Sequence, residues 1–140
     1  MRIFIGGVMQ ASNPGKGIVD QSYRQQIAAA LEARWPAVEV IDPFRLHPNS
    51  VEYDDAAARA TLFDMLDRAA ASDLVIAYVP TASMGTALEM YVAYRAGVPV
   101  ITISPLATNW VVMALSRRVF PDLPAFFAAL ATAESPLALV

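Results

Sequence analysis

Leu74-Val75-Ile76-Ala77-Tyr78-Val79 is an apolar run in which only Ala77 and Tyr78 interrupt the branched aliphatics. A run this short and this continuous suits a strand covered on both faces, as in a parallel sheet. Working back from it, helical spacing extends from about Asp54 to Ala71, and Val38–Ile41 reads as a strand closed by Asp42-Pro43. Before that, a helix from about Ser22 to Arg34 stops at Trp35-Pro36, and Ile3–Ile5 is a brief strand ending in Gly6-Gly7. Asn13-Pro14-Gly15-Lys16-Gly17 breaks the loop between them. Working forward, Pro80–Met84 is a loop, and a helix from about Thr86 to Ala96 ends at Gly97. Val100–Ile103 is a fourth strand, Asn109–Arg117 a helix, Val119-Phe120 a short fifth strand and Leu123–Thr132 a last helix. Strands alternating with helices predict an α/β fold. The expected architecture is flavodoxin-like (Rossmann-like): a doubly wound, parallel five-stranded sheet in a single domain over residues 1–140.

The bulk properties narrow the functional classes. Hydrophobic residues make up 56% of the chain and charged ones 16%, a composition for a packed core with apolar surface left for subunit contacts. A net charge of −3 without a basic stripe argues against a nucleic-acid polymer as partner. With no cysteine and the single histidine His47, neither thiolate chemistry nor a histidine-rich metal site is expected. No stretch approaches 18 consecutive apolar residues and the start lacks a signal-peptide pattern, so the expectation is a cytoplasmic protein without a membrane span.

In sheets of this kind, ligands bind outside the carboxyl ends of the strands, near the switch in strand order. Gly6-Gly7 and the loop to Lys16, Asp42, Thr81–Glu89 and Ser104–Asn109 all leave strands at that edge. Asp73 begins its strand and is discounted, because six residues at about 3.3 Å each put it roughly 20 Å away. The densest cluster is Ser83-Met84-Gly85-Thr86-Ala87-Leu88-Glu89. Glycine lets a ligand approach the backbone closely, and a helix start favours anions. Glu89, a turn in, would face the mouth of the site. On spacing alone a structural role competes: Thr86-Ala87-Leu88-Glu89 matches a capping box, with Glu89 returning to the backbone of Thr86.

Three segments decide between these roles: Asp73-Leu74-Val75-Ile76-Ala77-Tyr78, then Ser83-Met84-Gly85-Thr86-Ala87-Leu88-Glu89, then Ala93-Tyr94-Arg95-Ala96-Gly97-Val98-Pro99-Val100. Together they resemble the nucleoside 2-deoxyribosyltransferase superfamily, which includes the 2′-deoxynucleoside 5′-phosphate N-hydrolases. The resemblance covers most of the chain and is strongest from Asp73 to Pro105. It implies that Glu89 is a nucleophile attacking the sugar C1′, by the logic of retaining glycosidases. Ser83 stands where the nucleotide hydrolases carry a serine able to donate to a 5′-phosphate; its other role is a turn or N-cap. Gly6, Gly7 and Gly85 are the remaining substrate-binding candidates on these loops. Asn109 resembles an asparagine that the transferases lend to a neighbouring subunit's site, and equally suits an N-cap.

The chain also departs from the pattern. Val98 replaces a lysine, Ile3 occupies the strand-one tyrosine position, and Met9 aligns with the hydrolases' phosphate-binding arginine, whose charge Lys16 or Arg24 could replace. The aspartate that exchanges a proton with the leaving base aligns with Met65, and Asp64 is the neighbouring match. One residue turns a side chain by about 100° on a helix, so Asp64 and Asp67 equally suit solvent-facing pairs with Arg68 or Arg59. Trp110, Tyr78 and Tyr91 suit packing at an interface more than base stacking, and His47 an exposed loop.

The resulting expectation is an enzyme that hydrolyses the N-glycosidic bond of a nucleoside or (deoxy)nucleoside 5′-monophosphate through a glycosyl–Glu89 intermediate. Asp64 would serve the leaving base, with no metal or organic cofactor. A base-exchanging deoxyribosyltransferase is the near alternative, and a non-catalytic nucleotide-binding module the distant one. The expected partners are a small nucleoside or nucleotide and further copies of the chain, as a homodimer or higher homo-oligomer.

Overall fold

The computed structural model describes residues 1–140. Its centre is a parallel sheet of five strands in the order β2-β1-β3-β4-β5, formed by Arg2–Gly7 (β1), Glu39–Ile41 (β2), Leu74–Tyr78 (β3), Val100–Ile103 (β4) and Arg118–Phe120 (β5). Six helices surround it: Ser22–Arg34 (α1), Pro43–Leu46 (α2), Asp55–Ala70 (α3), Met84–Arg95 (α4), Trp110–Leu115 (α5) and Leu123–Thr132 (α6). Single 3-10 turns sit at Ser50–Glu52 and Pro136–Leu139. This is the flavodoxin-like architecture that the alternation of elements predicts.

The period-two geometry of β1 divides the core in two. Ile3 and Ile5 face α1 and α6, in a cluster with Ile27, Leu31, Ile76, Ile101 and Phe126. Phe4 faces α3 and α4, in a second cluster with Met65, Ala69, Val75, Ala77 and Met90. Removing each of these large side chains from water contributes about 1.5–3 kcal/mol. The sheet is therefore covered on both faces, as the aliphatic run of β3 requires.

The switch in strand order falls between β1 and β3, which run in register with Gly6 opposite Ala77 and Gly7 opposite Tyr78. Chains leaving these two strands part to opposite sides and open a crevice at the carboxyl edge. At the other edge, the Arg2 backbone N–H donates to Asp73 Oδ2 at 2.7 Å and the Asp73 N–H to the Arg2 carbonyl at 2.9 Å. Asp73 thus closes the amino-terminal edge of the sheet. No helix is long and apolar enough to cross a membrane.

Candidate active site

The crevice holds a cavity of about 440 Å³, within the range of small-molecule sites. Its walls come from the loop after β1 (Gly7, Met9, Gln10, Ala11), from Arg24 of α1, and from the α2 region through Tyr53. Ala58, Thr61, Leu62 and Met65 of α3 and Ser83–Thr86 and Glu89 of α4 complete it.

Helix α4 begins two residues earlier than its spacing suggests. Ser83, not Thr86, is the N-cap: its Oγ accepts from the Thr86 N–H at 3.4 Å and shares a 2.9 Å hydrogen bond with Thr86 Oγ1. Ser83-x-x-Thr86 is the capping pair, so Glu89 lies in the second turn and caps nothing. Its side chain instead borders the cavity, and Oε2 is enclosed without any hydrogen-bond partner. A buried carboxylate oxygen left unpartnered is expensive for the fold and points to a use beyond it.

The two glycines ending β1 serve opposite faces of the sheet. A Cβ on Gly6 would lie 2.6 Å from Glu89 Oε2, whereas one on Gly7 would run into the Tyr23 hydroxyl. Only Gly7 borders the cavity; Gly6 makes the space that the Glu89 carboxylate occupies. Gly85 differs from both, since a Cβ there meets nothing within 4 Å and would project into open space.

Beneath the cavity lies a buried polar network that the sequence did not reveal. Arg24, 1% exposed, donates from Nη1 to Asp42 Oδ1 (3.0 Å) and to the Ile5 carbonyl (2.9 Å). Nη2 donates to the Gly7 carbonyl (2.8 Å) and Nε to Gln21 Oε1 (2.7 Å). Asp42 also caps α2 by accepting from the Phe44 N–H. Gln21 donates to the Val8 and Val19 carbonyls, and the Tyr23 hydroxyl to the Val8 carbonyl, which fixes both ends of the loop after β1. Ala11 in that loop holds a positive φ of 51°, a conformation that non-glycine residues seldom adopt and that tends to be kept at functional turns.

These surroundings set the charge of Glu89. Burial raises its carboxyl from the ordinary 4.5 to about 8; Arg24 opposes the shift and Asp42 adds to it. Burial likewise raises the Tyr23 phenol, chiefly against the pull of Arg24. Glu89 is therefore largely protonated at neutral pH, poised near the range where catalytic groups work.

Other sequence candidates fall elsewhere. Asp64 points away from the cavity: its carboxylate is half exposed and takes a 2.8 Å hydrogen bond from Arg68 Nε, the solvent-facing pair that its spacing allows. Met65 and Thr61 present that helix to the cavity instead. Asn109 caps α5, accepting from the N–H groups of Val111 and Val112, and borders a second, more apolar cavity of about 360 Å³. Ala11, Ser83 and Met84 separate the two cavities. Lys16 pairs with Glu52 at the surface. Tyr78 packs on Tyr23, with ring centroids 4.3 Å apart, while Tyr91 and Trp110 are exposed on the single chain. His47 departs from its expected exposure: half-buried, it borders the cavity, with Nδ1 3.0 Å from the Tyr53 hydroxyl. The pattern Asp42-Pro43 followed by a polar loop hides this, because nothing local shows that the loop folds back over α3.

No protein-family model and no curated protein matches the chain. Solved structures do share its fold. It is similar to a 2-deoxyribosyltransferase from Bacillus psychrosaccharolyticus over 99% of this chain and 96% of that one, with a TM-score of 0.73 and 15% identity. A conserved protein from Enterococcus faecalis matches with a TM-score of 0.65 and 18% identity, covering 94% of this chain and 97% of that one. A CMP N-glycosidase from Clostridium botulinum matches with a TM-score of 0.56 and 18% identity, covering 94% and 98%. At these identities the likeness establishes a shared fold over nearly whole chains.

Proposed function

We propose that the protein is an N-glycosidase of the nucleoside 2-deoxyribosyltransferase superfamily, hydrolysing the bond between a base and the sugar C1′ with Glu89 as nucleophile. The observation that carries the reading is the Glu89 carboxylate. It borders the cavity at the switch point, has an unpartnered oxygen, caps no helix, and has a glycine cleared beside it. Two fold neighbours with chemistry in their names, a 2-deoxyribosyltransferase and a CMP N-glycosidase, act at N-glycosidic bonds and support the same reading.

In this mechanism an ionised Glu89 oxygen forms a bond to C1′ as the C1′–N bond breaks and its electron pair leaves with the base. The base gains a proton. Water then attacks C1′, releasing Glu89 and giving its proton to the group that protonated the base, so the products are free base and free sugar and the enzyme is restored. His47, hydrogen-bonded to Tyr53 and facing the cavity, takes the proton-donating role that Asp64 is too remote to fill. Gly7 and Gly85 let the substrate approach the backbone. If a second base replaces water, the same intermediate gives transfer.

The exposed Met84 (85%), Trp110 (86%) and Met113 (60%) leave an apolar face beside the cavity mouth, and a homo-oligomer covering it, with Asn109 at its edge, belongs to the proposal. Sedimentation at micromolar concentration should give at least a dimer, which Trp110→Glu dissociates; a monomer in wild type refutes this part. The test of the function is release of free base from a panel of nucleosides and 5′-monophosphates. Wild type should release base from at least one. Release from none, or undiminished release by Glu89→Ala, rejects the reading.

A further inference from the structure

We infer that the cavity is built for an uncharged nucleoside and excludes the 5′-monophosphate, an assignment of substrate class that rests on the N-glycosidase reading above. A phosphate monoester carries about −1.5 to −2 charges at pH 7 and needs free donors and positive charge in its pocket. Gln10, Ser50 and Thr61 offer neutral donors on the cavity wall, but positive charge is scarce. Besides Arg24 only His47 on that wall can carry positive charge; His47 is assigned above to the leaving base, and the Arg24 cation is already paired with Asp42 at 3.0 Å. Three of its nitrogens are spent on Gln21, Ile5, Asp42 and Gly7. The guanidinium is 1% exposed and held as a strut under the loop after β1, so turning it towards a ligand would orphan two buried carbonyls and a carboxylate.

The remaining cations do not help. Lys16 is held by Glu52, Arg45 by Glu32 and Arg68 by Asp64, all at the surface, and none borders the cavity. The Ser83 hydroxyl is engaged with Thr86 in capping α4. The start of α4 contributes only about half a unit of positive charge. Against it stand Glu89 and, beneath, Asp42. A dianion placed here would lose its hydration, could gain an ion pair only by taking the His47 that the leaving base needs, and would oppose the ionisation that Glu89 needs. A neutral 5′-hydroxyl asks for only one or two hydrogen bonds, which Gln10 and the backbone at Gly85 are placed to supply.

The experiment compares ribo- and 2′-deoxynucleosides of the common bases with their 5′-monophosphates. It measures kcat/KM for base release by wild type and binding to Glu89→Gln by calorimetry. Nucleosides should be preferred by about 100-fold or more in kcat/KM. Met9→Arg, which adds a cation to the cavity wall, should raise monophosphate binding at least about tenfold. Equal or better turnover of a monophosphate overturns the inference and leaves the N-glycosidase reading standing. Selective nucleoside binding by Glu89→Gln without turnover by wild type sustains the substrate class and removes the reaction. Neither binding nor turnover of either series overturns both.

Discussion

Gly6 and Glu89 share one space: a Cβ on Gly6 would sit 2.6 Å from Glu89 Oε2, so the end of β1 is bare where the carboxylate lies. Gly6→Ala should therefore displace the carboxylate while leaving the sheet intact, because nothing at Gly6 demands a left-handed backbone. A shift of about 1 Å at a nucleophile costs about 100-fold in rate. Base release should fall by that order with an unchanged circular dichroism spectrum. Full activity in Gly6→Ala would show that the carboxylate is not positioned from this side.

The raised Glu89 carboxyl makes stability depend on pH. Between 4.5 and about 8 the folded protein holds a proton there that the unfolded chain has released. Stability from this group is thus fully present at low pH and is lost as pH rises through about 8. Thermal unfolding of wild type against Glu89→Gln should show the variant gaining on wild type from pH 5 to 8.5. Parallel curves over that range contradict the burial of the charge. By the same titration, the limb of kcat/KM that rises with pH should report Glu89, since the nucleophile must be ionised, and should be absent from any Glu89 variant.

Arg24 and Asp42 form a buried pair that the loop after β1 hangs on. Arg24→Met leaves the Asp42 charge and the Ile5 and Gly7 carbonyls without their partner. Loss of one member of such a pair costs about 3–5 kcal/mol. Denaturant unfolding should report a loss of that size; a change below about 1 kcal/mol would place Arg24 in water rather than in the core.

His47 and Asp64 divide on the leaving base. His47→Gln should slow base release about 100-fold or more, the usual contribution of a positioned acid. Asp64→Asn, which breaks only an exposed pair with Arg68, should leave base release unchanged and stability within about 0.5 kcal/mol. Rate assays on the two variants check both; the reverse pattern would restore Asp64 to the site.

The fold was legible because its signals are local. The stops at Trp35-Pro36 and Gly97 and the aliphatic runs of β3 and β4 carry their own punctuation, and α1, β4 and α6 run as their spacing predicts. The site was legible only in part. Ser83…Thr86 and Thr86…Glu89 present the same three-residue capping interval, and spacing cannot rank them; tertiary structure chose the first and freed Glu89. Arg24 reads only as a spare charge for the one missing at Met9, because its partner Asp42 is brought to it only by the pairing of β1 with β2. His47 and Tyr53 meet through a loop whose path no periodicity encodes. Asp64 was displaced by one residue on a helix, enough to turn it from cavity to solvent.

The claim that Glu89 forms a bond to C1′ is tested most directly by stereochemistry. Turnover of a β-nucleoside in the presence of methanol, followed by nuclear magnetic resonance of the methyl glycoside, reads the configuration at C1′. Two displacements through a glycosyl–Glu89 ester predict the β-anomer. The α-anomer would mean that the acceptor attacks C1′ directly, and would contradict the account.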